Sequence, residues 1–412
     1  MQRIYKNCCG LDVHKKVLVA CLKKGNKQEI KEFGAQTKDI KEMANWLLEN
    51  DCEMIAMEST ASYWKPLVNI FEIKDLDFIV INAKDYKNVP GRKTDALDSE
   101  WIASLLQHGL LKASFIPKRE QRELREATRY RKSLVEERAR SLNRLQKMLE
   151  GANIKLSSLV SNINGVSSMN LLDYVLNNDE VLDEAILEKL ITTKLKATNQ
   201  EILEAMDSII TDFQKTMMKE VIKHYNELSE RIKDMDKIIE LNMEEYMSTL
   251  TKIIEIPGIG KRSGEIILAE IGLNMEIYPT QNHISSWAGI CPGNNESAGK
   301  KKSGKTRKGN KILKSTLVQC AQSAVKNKES FYSAQYHKLM VKRGKKRAIV
   351  AVAHSMLISI YHMLKNNMDY VDLGSDYYNQ FNTDKKVNSY LKKLKELGYE
   401  IHTENNNDFP SN

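Results

Sequence analysis

The sequence predicts an α/β amino-terminal region followed by a mainly α-helical remainder, and three observations carry that expectation. Short apolar runs of strand length alternate with helix-periodic segments over the first hundred residues. From Lys118 to about Glu150 the chain lacks proline and glycine and is dense in Arg, Glu and Leu. A glycine turn then divides two apolar helical stretches in "IIEIPGIGKRSGEIILAEIG".

Element by element, "CCGLDVHKKVLVACLKK" reads as two strands around a charged turn, and "KEFGAQ" as a third. "TKDIKEMANWLLENDC" has apolar residues at helical spacing after a Thr cap. A strand "EMIAMES", an amphipathic helix around "YWKPLVNIFEI" and a buried strand "DFIVINA" follow. The order β-β-β-α-β-α-β describes a mixed sheet with helices packed on it. From Lys118 to about Glu150 a long helix is expected, either a solvated, salt-bridged helix or a coiled-coil arm; Leu124, Leu134, Leu142, Leu145 and Leu149 make irregular heptads. Residues 165 to 245 have the apolar spacing of a helical bundle. The PGIG turn has the form of a helix-hairpin-helix, which either grips a phosphate or simply turns the chain tightly. The expected organisation is 1–116, an α/β domain; 117–250, a helical linker and oligomerisation region; 251–370, a carboxy-terminal domain; and 371–412, a helical tail ending in a disordered "ENNNDFPSN".

With 412 residues and 42% hydrophobic content, the chain can build two or three cores. The formal net charge of +9 is modest, but its distribution is uneven. From Lys300 to Lys314 the chain holds Lys300, Lys301, Lys302, Lys305, Arg307, Lys308, Lys311 and Lys314 without one acid. Interleaved Gly and Ser give this run the character of a phosphate-following loop. A second cluster, "VKRGKKRAIVAVAHSML", sets five cations beside a buried-looking helix. The six cysteines form no CxxC pair and no secreted-scaffold spacing, so reduced thiols in a cytoplasm are expected, with no zinc site. No apolar run approaches about 18 residues, so neither a signal peptide nor a membrane span is expected.

The chemistry concentrates in acids. Asp12 sits inside an apolar strand, between Leu11 and Val13, where a carboxylate needs a partner. Glu58 ends a later strand, and Asp95 and Asp98 open a helix after the last strand. In a ribonuclease H-like sheet the first and fourth strands are neighbours, so acids placed this way converge. Four carboxylates suit two hard divalent cations such as Mg²⁺. Two metals about 3.5–4 Å apart serve phosphodiester transfer. Taken singly, Asp95 reads as a helix-start acid beside a Thr94 cap, and Glu58 as a solvated strand end. His14 reads as a turn residue rather than a ligand.

The segments "GLDVHKK", "MEST", "GRKTDALDSEWIASLLQHGLL" and "WAGICPGNNESAGKKKSGKTRKGNKILKSTL" together resemble the DEDD-type transposases of bacterial insertion sequences, the IS-one-ten family. The resemblance implies a RuvC-like amino-terminal domain, a coiled-coil region and a carboxy-terminal transposase domain bearing a serine. It places a metal-binding, catalytic tetrad on Asp12, Glu58, Asp95 and Asp98, with two Mg²⁺ ions per site. The nucleophile falls on Ser297, five positions after Pro292, with Ser303 the weaker candidate; "ESAG" replaces one serine and one glycine of the family pattern. The implied activity is a recombinase that excises and inserts a mobile element by serine attack on a DNA phosphate. Its implied partners are target and donor DNA, a guide "bridge" RNA and further copies of the chain in a dimer or tetramer, without a membrane. Its implied location is the bacterial cytoplasm, at the nucleoid. Arg92, Lys93 and the cations from Lys300 to Lys314 are then nucleic-acid contacts. Two alternatives stay open: a Holliday-junction-type nuclease that uses the same acids and water, and a catalytically silent nucleic-acid-binding protein.

Overall fold

The computed structural model describes residues 3–82, 95–178, 180–193, 195–292, 295–297, 300–303, 306–380 and 383–398. The chain divides into two compact units, Met1–Arg119 and Glu120–Asn412.

The first unit is a five-stranded mixed sheet with helices on both faces. Its strands are β1 (Asn7–Val13), β2 (Val17–Lys24), β3 (Lys27–Gly34), β4 (Met54–Glu58) and β5 (Phe78–Ile81), in the order β3-β2-β1-β4-β5. β1, β2 and β3 pair antiparallel, as short turns require, whereas β4 joins β1, and β5 joins β4, in parallel through helical crossovers. The first and fourth strands are therefore neighbours, as the sequence predicts. Helices α1 (Thr37–Glu49) and α2 (Trp64–Ile73) cover one face. Their apolar stripes, including Met43, Leu47, Leu67 and Phe71, pack on Cys9, Leu11 and Val13 of β1. The helix start differs from expectation by one residue: Gln36 is the cap, its N–H donating to Asp39 Oδ2 at 3.2 Å, and Thr37 is already helical. Helix α3 (Asp95–Gln107) covers the other face, where Ile102, Leu105 and Leu106 meet Cys8, Ala56 and Ile81. The proposed cap, Thr94, lies outside the described residues.

The second unit is helical apart from one short hairpin. Helix α4 (Arg119–Gly151) is the long helix expected, but it finds its partner within the chain. The shorter helices α5 (Leu156–Leu159), α6 (Val166–Asn177), α7 (Glu184–Leu190) and α8 (Asn199–Met206) cap its far end and lead to α9 (Asp212–Leu241), which runs back along it. Leu134 packs on Leu228 and Ile232, the Ser141 hydroxyl donates to the Val221 carbonyl, and Arg131 pairs with Asp236. The arm is thus an antiparallel two-helix pair in which ion pairs flank an apolar seam, combining the two readings of the sequence.

α10 (Met247–Ile254) and α11 (Lys261–Ile271) flank the PGIG turn. Gly258 there has φ +86°, and an added Cβ would meet the Cys320 carbonyl oxygen at 2.3 Å, so the residue serves a tight approach of the turn to its neighbouring helix. The remaining elements are α12 (Gln281–Ala288), the hairpin β6 (Asn295–Ser297) and β7 (Lys300–Ser303), α13 (Lys311–Ala324), α14 (Phe331–Arg343) and α15 (Lys345–Asn366), followed by helices at Tyr377–Gln380 and Thr383–Glu396. One core joins α10 to α15 through residues such as Ile267, Leu317, Tyr332 and Met356. α15 corrects one expectation: its 22 residues are long and apolar enough to cross a membrane by length and composition. Half of its apolar window is buried in the protein's own core, where Val352, Met356 and Ile360 are fully enclosed. The tail sequence "ENNNDFPSN" lies outside the described residues.

Candidate functional site

The period of two along β1 sends Cys9, Leu11 and Val13 to the α1–α2 face and Cys8, Gly10 and Asp12 to the α3 face. α3 runs antiparallel to β1 across that second face. The Ile4 N–H donates to the Gln107 carbonyl at 2.8 Å, the Cys8 thiol approaches the Ala103 carbonyl at 3.7 Å, and Gly10 lies against Ser99 and Ala103. Gly10 is what permits this crossing: a Cβ there would meet the Ser99 carbonyl oxygen at 2.3 Å and the Ala103 nitrogen at 2.4 Å. One further step along β1 reaches Asp12, and one further turn back along α3 reaches Asp98 and then Asp95.

The parallel register with β4 adds the fourth position. Gly10 pairs with Ala56 and Leu11 with Met57, so Glu58 follows Ala56 on the α3 face beside Asp12. Asp12 is only 6% exposed, whereas Glu58 and Asp98 are half-buried. Burial pushes the Asp12 pKa up from the usual carboxylate range, the charge and hydrogen bond of His14 pull it back, and the charges of Asp98 and Glu58 raise it again. His14, just past β1 in the turn to β2, accordingly does more than turn the chain: its Nε2 lies 2.9 Å from Asp12 Oδ2. That contact was not legible as a pairing in the sequence, although the i, i+2 spacing at a strand end was its trace.

Among the described residues no three His, Cys, Asp or Glu side chains are close enough to hold a metal together. The side chain of Asp95 is outside them. Apart from the His14 imidazole, the groups whose charges act on Asp12 are the carboxylates of Asp98 and Glu58, and oxygen donors of this kind fit a hard divalent cation better than a softer metal.

In the second unit the serine segment is a hairpin. β6 and β7 pair antiparallel with Ser297 opposite Lys300 and Asn295 opposite Ser303, and a bridge between Pro292 and Thr306 closes its base. Ser297 therefore stands at the turn end of the hairpin and Ser303 at the base. Side chains of Ser297, Lys300, Lys301, Lys302 and Ser303 lie outside the described residues, as do Arg92, Lys93 and Lys305 altogether. Of the basic run, Arg307, Lys308 and Lys311 are exposed, while Lys314 is half-buried and donates to the Thr306 hydroxyl.

What holds the end of this segment is a buried acid that the sequence did not single out. Glu270, near the end of α11, is fully enclosed. Arg129 of α4 donates to both its oxygens at 2.7 and 2.8 Å, Arg125 Nε stands 3.6 Å away, and the Asn310 amide donates to Oε2 at 2.6 Å. The same Asn310 side chain accepts from the amides of Ile312 and Leu313, capping α13. The hydrogen bond to Glu270 raises the Arg129 pKa, and burial lowers that of Arg125 against the pull of Glu270. The cations after the PGIG turn are likewise engaged within the unit. Lys261 reaches Glu240 at 2.6 Å, and Arg262 binds Glu265 at 3.0 Å and Asp236 at 3.2 Å. The turn's apolar packing and these ion pairs support the structural alternative for this motif.

A family model described as a transposase, of the DEDD type of IS110 elements, matches residues 9–154, a span that includes all four acids. A second, described as "Transposase IS116/IS110/IS902 family", matches residues 250–337, which include the PGIG turn, the hairpin and the basic run. No curated protein matches the chain. The two models occur in the order that the acidic and serine motifs require, and between them they match parts of both compact units, with 155–249 and 338–412 unmatched. The chain belongs to the DEDD transposases of the IS110 family.

Proposed function

We propose that this transposase cuts and rejoins DNA by a serine-dependent transesterification, with Asp12, Glu58, Asp95 and Asp98 holding two Mg²⁺ ions. The observation that carries the reading is the common face shared by Asp12, Glu58 and the start of α3, where the charges of Glu58 and Asp98 both act on the buried Asp12 carboxylate. Mg²⁺, when bound, supplies Lewis-acid polarisation of the scissile phosphate. His14 fixes Asp12 through Oδ2, so the carboxylate keeps one orientation on the strand. The Ser297 hydroxyl loses its proton and bonds to phosphorus. The P–O bond to deoxyribose breaks, and the departing oxygen takes up a proton. A deoxyribose hydroxyl from the recombining strand then attacks the phosphoserine, releasing Ser297 and restoring the phosphodiester.

The partners in this reading are target and donor DNA, a guide RNA encoded by the element and an oligomer of the chain. The exposed Arg307, Lys308 and Lys311 support phosphate contact without base readout, which is what delegation of sequence recognition to an RNA requires.

The test is a covalent trap. Purified protein is incubated with branched donor–target DNA and Mg²⁺, then denatured and resolved. A protein–DNA adduct is expected for the wild type, lost in Ser297→Ala and retained in Ser303→Ala. Undiminished strand cleavage by Ser297→Ala would favour a resolvase-type nuclease using water. Sequencing of RNA copurified with the protein tests the guide: an RNA from DNA flanking the gene is expected, and nucleic acid of random origin refutes it.

A further inference from the structure

The second basic cluster finds no use in this reading, and its setting is unusual. α14 and α15 form a helical hairpin, joined by the Tyr332 hydroxyl to Ser359 at 3.0 Å and by Gln335 to Ser355 at 2.8 Å. Gly344, with φ +77°, turns the corner between them. Around it Lys342, Arg343, Lys345, Lys346 and Arg347 are all exposed, and none takes part in an ion pair among the described residues. The whole hairpin, Phe331 to Asn366, contains seven Lys or Arg residues and no Asp or Glu. Its two remaining cations are satisfied by aromatic rings and a phenol: Lys338 stands 3.8 Å over Tyr378, and Lys365 donates to the Tyr361 hydroxyl.

Helix stability does not account for this arrangement. Lys342 and Arg343 lie in the last turn of α14, where cations are favoured, but Lys345, Lys346 and Arg347 occupy the first turn of α15, at the positive end of its dipole. No side chain caps that turn. Three mutually repelling cations at an uncapped amino-terminal end weaken the isolated protein and are relieved by a polyanion. A membrane surface would offer anionic headgroups, but the apolar face that α15 would need to insert is enclosed in the core.

We propose that the α14–α15 corner is a DNA phosphate-contacting surface, additional to the Lys300–Lys314 run. The proposal rests on the transposase reading only for the identity of the polyanion. Full-length protein and a short labelled duplex are titrated by fluorescence anisotropy across a fourfold range of salt. Each phosphate contact contributes about 0.9 to the log–log salt slope, so the triple variant Lys345→Gln, Lys346→Gln, Arg347→Gln should lose about 2 to 3 units. Over the fourfold range, wild-type affinity should fall about 40-fold more than that of the variant. The charge-preserving variant Lys345→Arg, Lys346→Arg, Arg347→Lys should keep the wild-type slope. Without DNA the glutamine variant should melt no lower than wild type, since it removes repulsion.

An unchanged slope in the glutamine variant overturns the proposal while leaving the transposase reading intact. A lowered melting temperature makes the cations structural and also overturns it. Loss of binding to phosphatidylserine vesicles with DNA binding preserved assigns the corner to a membrane. Failure of the wild type to bind DNA at all overturns the wider reading as well.

Discussion

Replacing Glu270 by Gln tests whether the serine segment is anchored by a buried charge. Glu270 has no exposed surface and accepts two bonds from Arg129 and one from Asn310. A glutamine keeps one carbonyl oxygen but turns an amide donor toward either Arg129 or Asn310, so at least one charge-assisted bond is replaced by two opposed donors. Breaking a buried pair in this way costs about 3–5 kcal/mol. Two features favour the lower end. The Arg129 side chain is 47% exposed and can rehydrate, and Arg125 keeps its bonds to the backbone carbonyls of Ala269 and Glu270. A loss of about 3 kcal/mol corresponds to a fall in Tm of roughly 6 °C for a large unit. Thermal melting of the full chain by circular dichroism measures it, and hydrogen exchange localises it, because the Ile312 and Leu313 amides depend on the Asn310 cap that Glu270 holds. Serine-adduct formation should fall further than DNA affinity. A melt within about 1 °C of wild type, or unchanged protection of those two amides, would refute the anchoring argument.

Gly10→Ala should push α3 off β1, since the new methyl would meet backbone rather than a yielding side chain; overpacking costs about 1–3 kcal/mol, read as a lower Tm and weaker thermal protection by Mg²⁺. Asp12→Asn in chelator should be at least as stable as wild type at neutral pH, because a carboxylate whose pKa burial raises is most stabilising when protonated and loses that contribution as pH rises. Added Mg²⁺ should raise the Tm of wild type and not of the variant, and an equal rise in both would remove Asp12 from the metal site. His354 supplies the opposite sign: burial lowers its pKa, so its contribution is complete above the ordinary value near 6.5 and lost as pH falls through the folded value. His354→Gln should therefore flatten the acid limb of a Tm–pH curve below about pH 6.5. Cys8 and Cys52, both pushed up to about 12 by burial, should resist iodoacetamide in the native protein at pH 8, which peptide mapping checks.

Much of the first unit was legible because its signals are local. Strand period and turn chemistry within a few residues marked β1, β2, β4 and β5, whereas the third strand, expected at "KEFGAQ", starts four residues earlier at Lys27 and ends at Gly34; a carboxylate between Leu11 and Val13 advertised its own anomaly. The topology then required only that β4 return beside β1. Glu270 was not legible for the converse reason. In "LAEIG" it looks like a polar residue on an amphipathic helix, and its partners Arg125 and Arg129 lie some 140 residues earlier, in a helix whose charges all read alike. The same limit hid the pairing of α4 with α9: irregular heptads say that a helix wants an apolar partner but not that the chain itself returns to provide it. α15 escaped notice for another reason. Its apolar window tolerates interspersed Ser, His and Tyr, so no unbroken run marks it.

The cations of the second unit sort into two kinds once their partners are known, and the division matters more than the net charge. Arg125, Arg129, Arg131, Lys261 and Arg262 are consumed by Glu270, Asp236, Glu240 and Glu265, several of them at buried or half-buried positions. Their removal should act on folding, and for the pairs made with the enclosed Glu270 and Glu265 salt should change that effect little, since buried pairs are weakly screened, whereas the exposed Lys261–Glu240 pair should respond to salt. Arg307, Lys308, Lys311 and the five cations around Gly344 have no ion pair among the described residues. For them the isolated protein bears the repulsion, and only a polyanion returns it. On the proposed reading the paired cations belong to the scaffold and the unpaired ones to a contact surface. Neutralising a paired arginine should lower Tm without altering the salt slope of DNA binding, whereas neutralising an unpaired lysine should do the reverse. Arg131→Gln against Lys308→Gln is the direct comparison, with Tm and salt slope measured on both proteins; parallel changes in the two would dissolve the distinction.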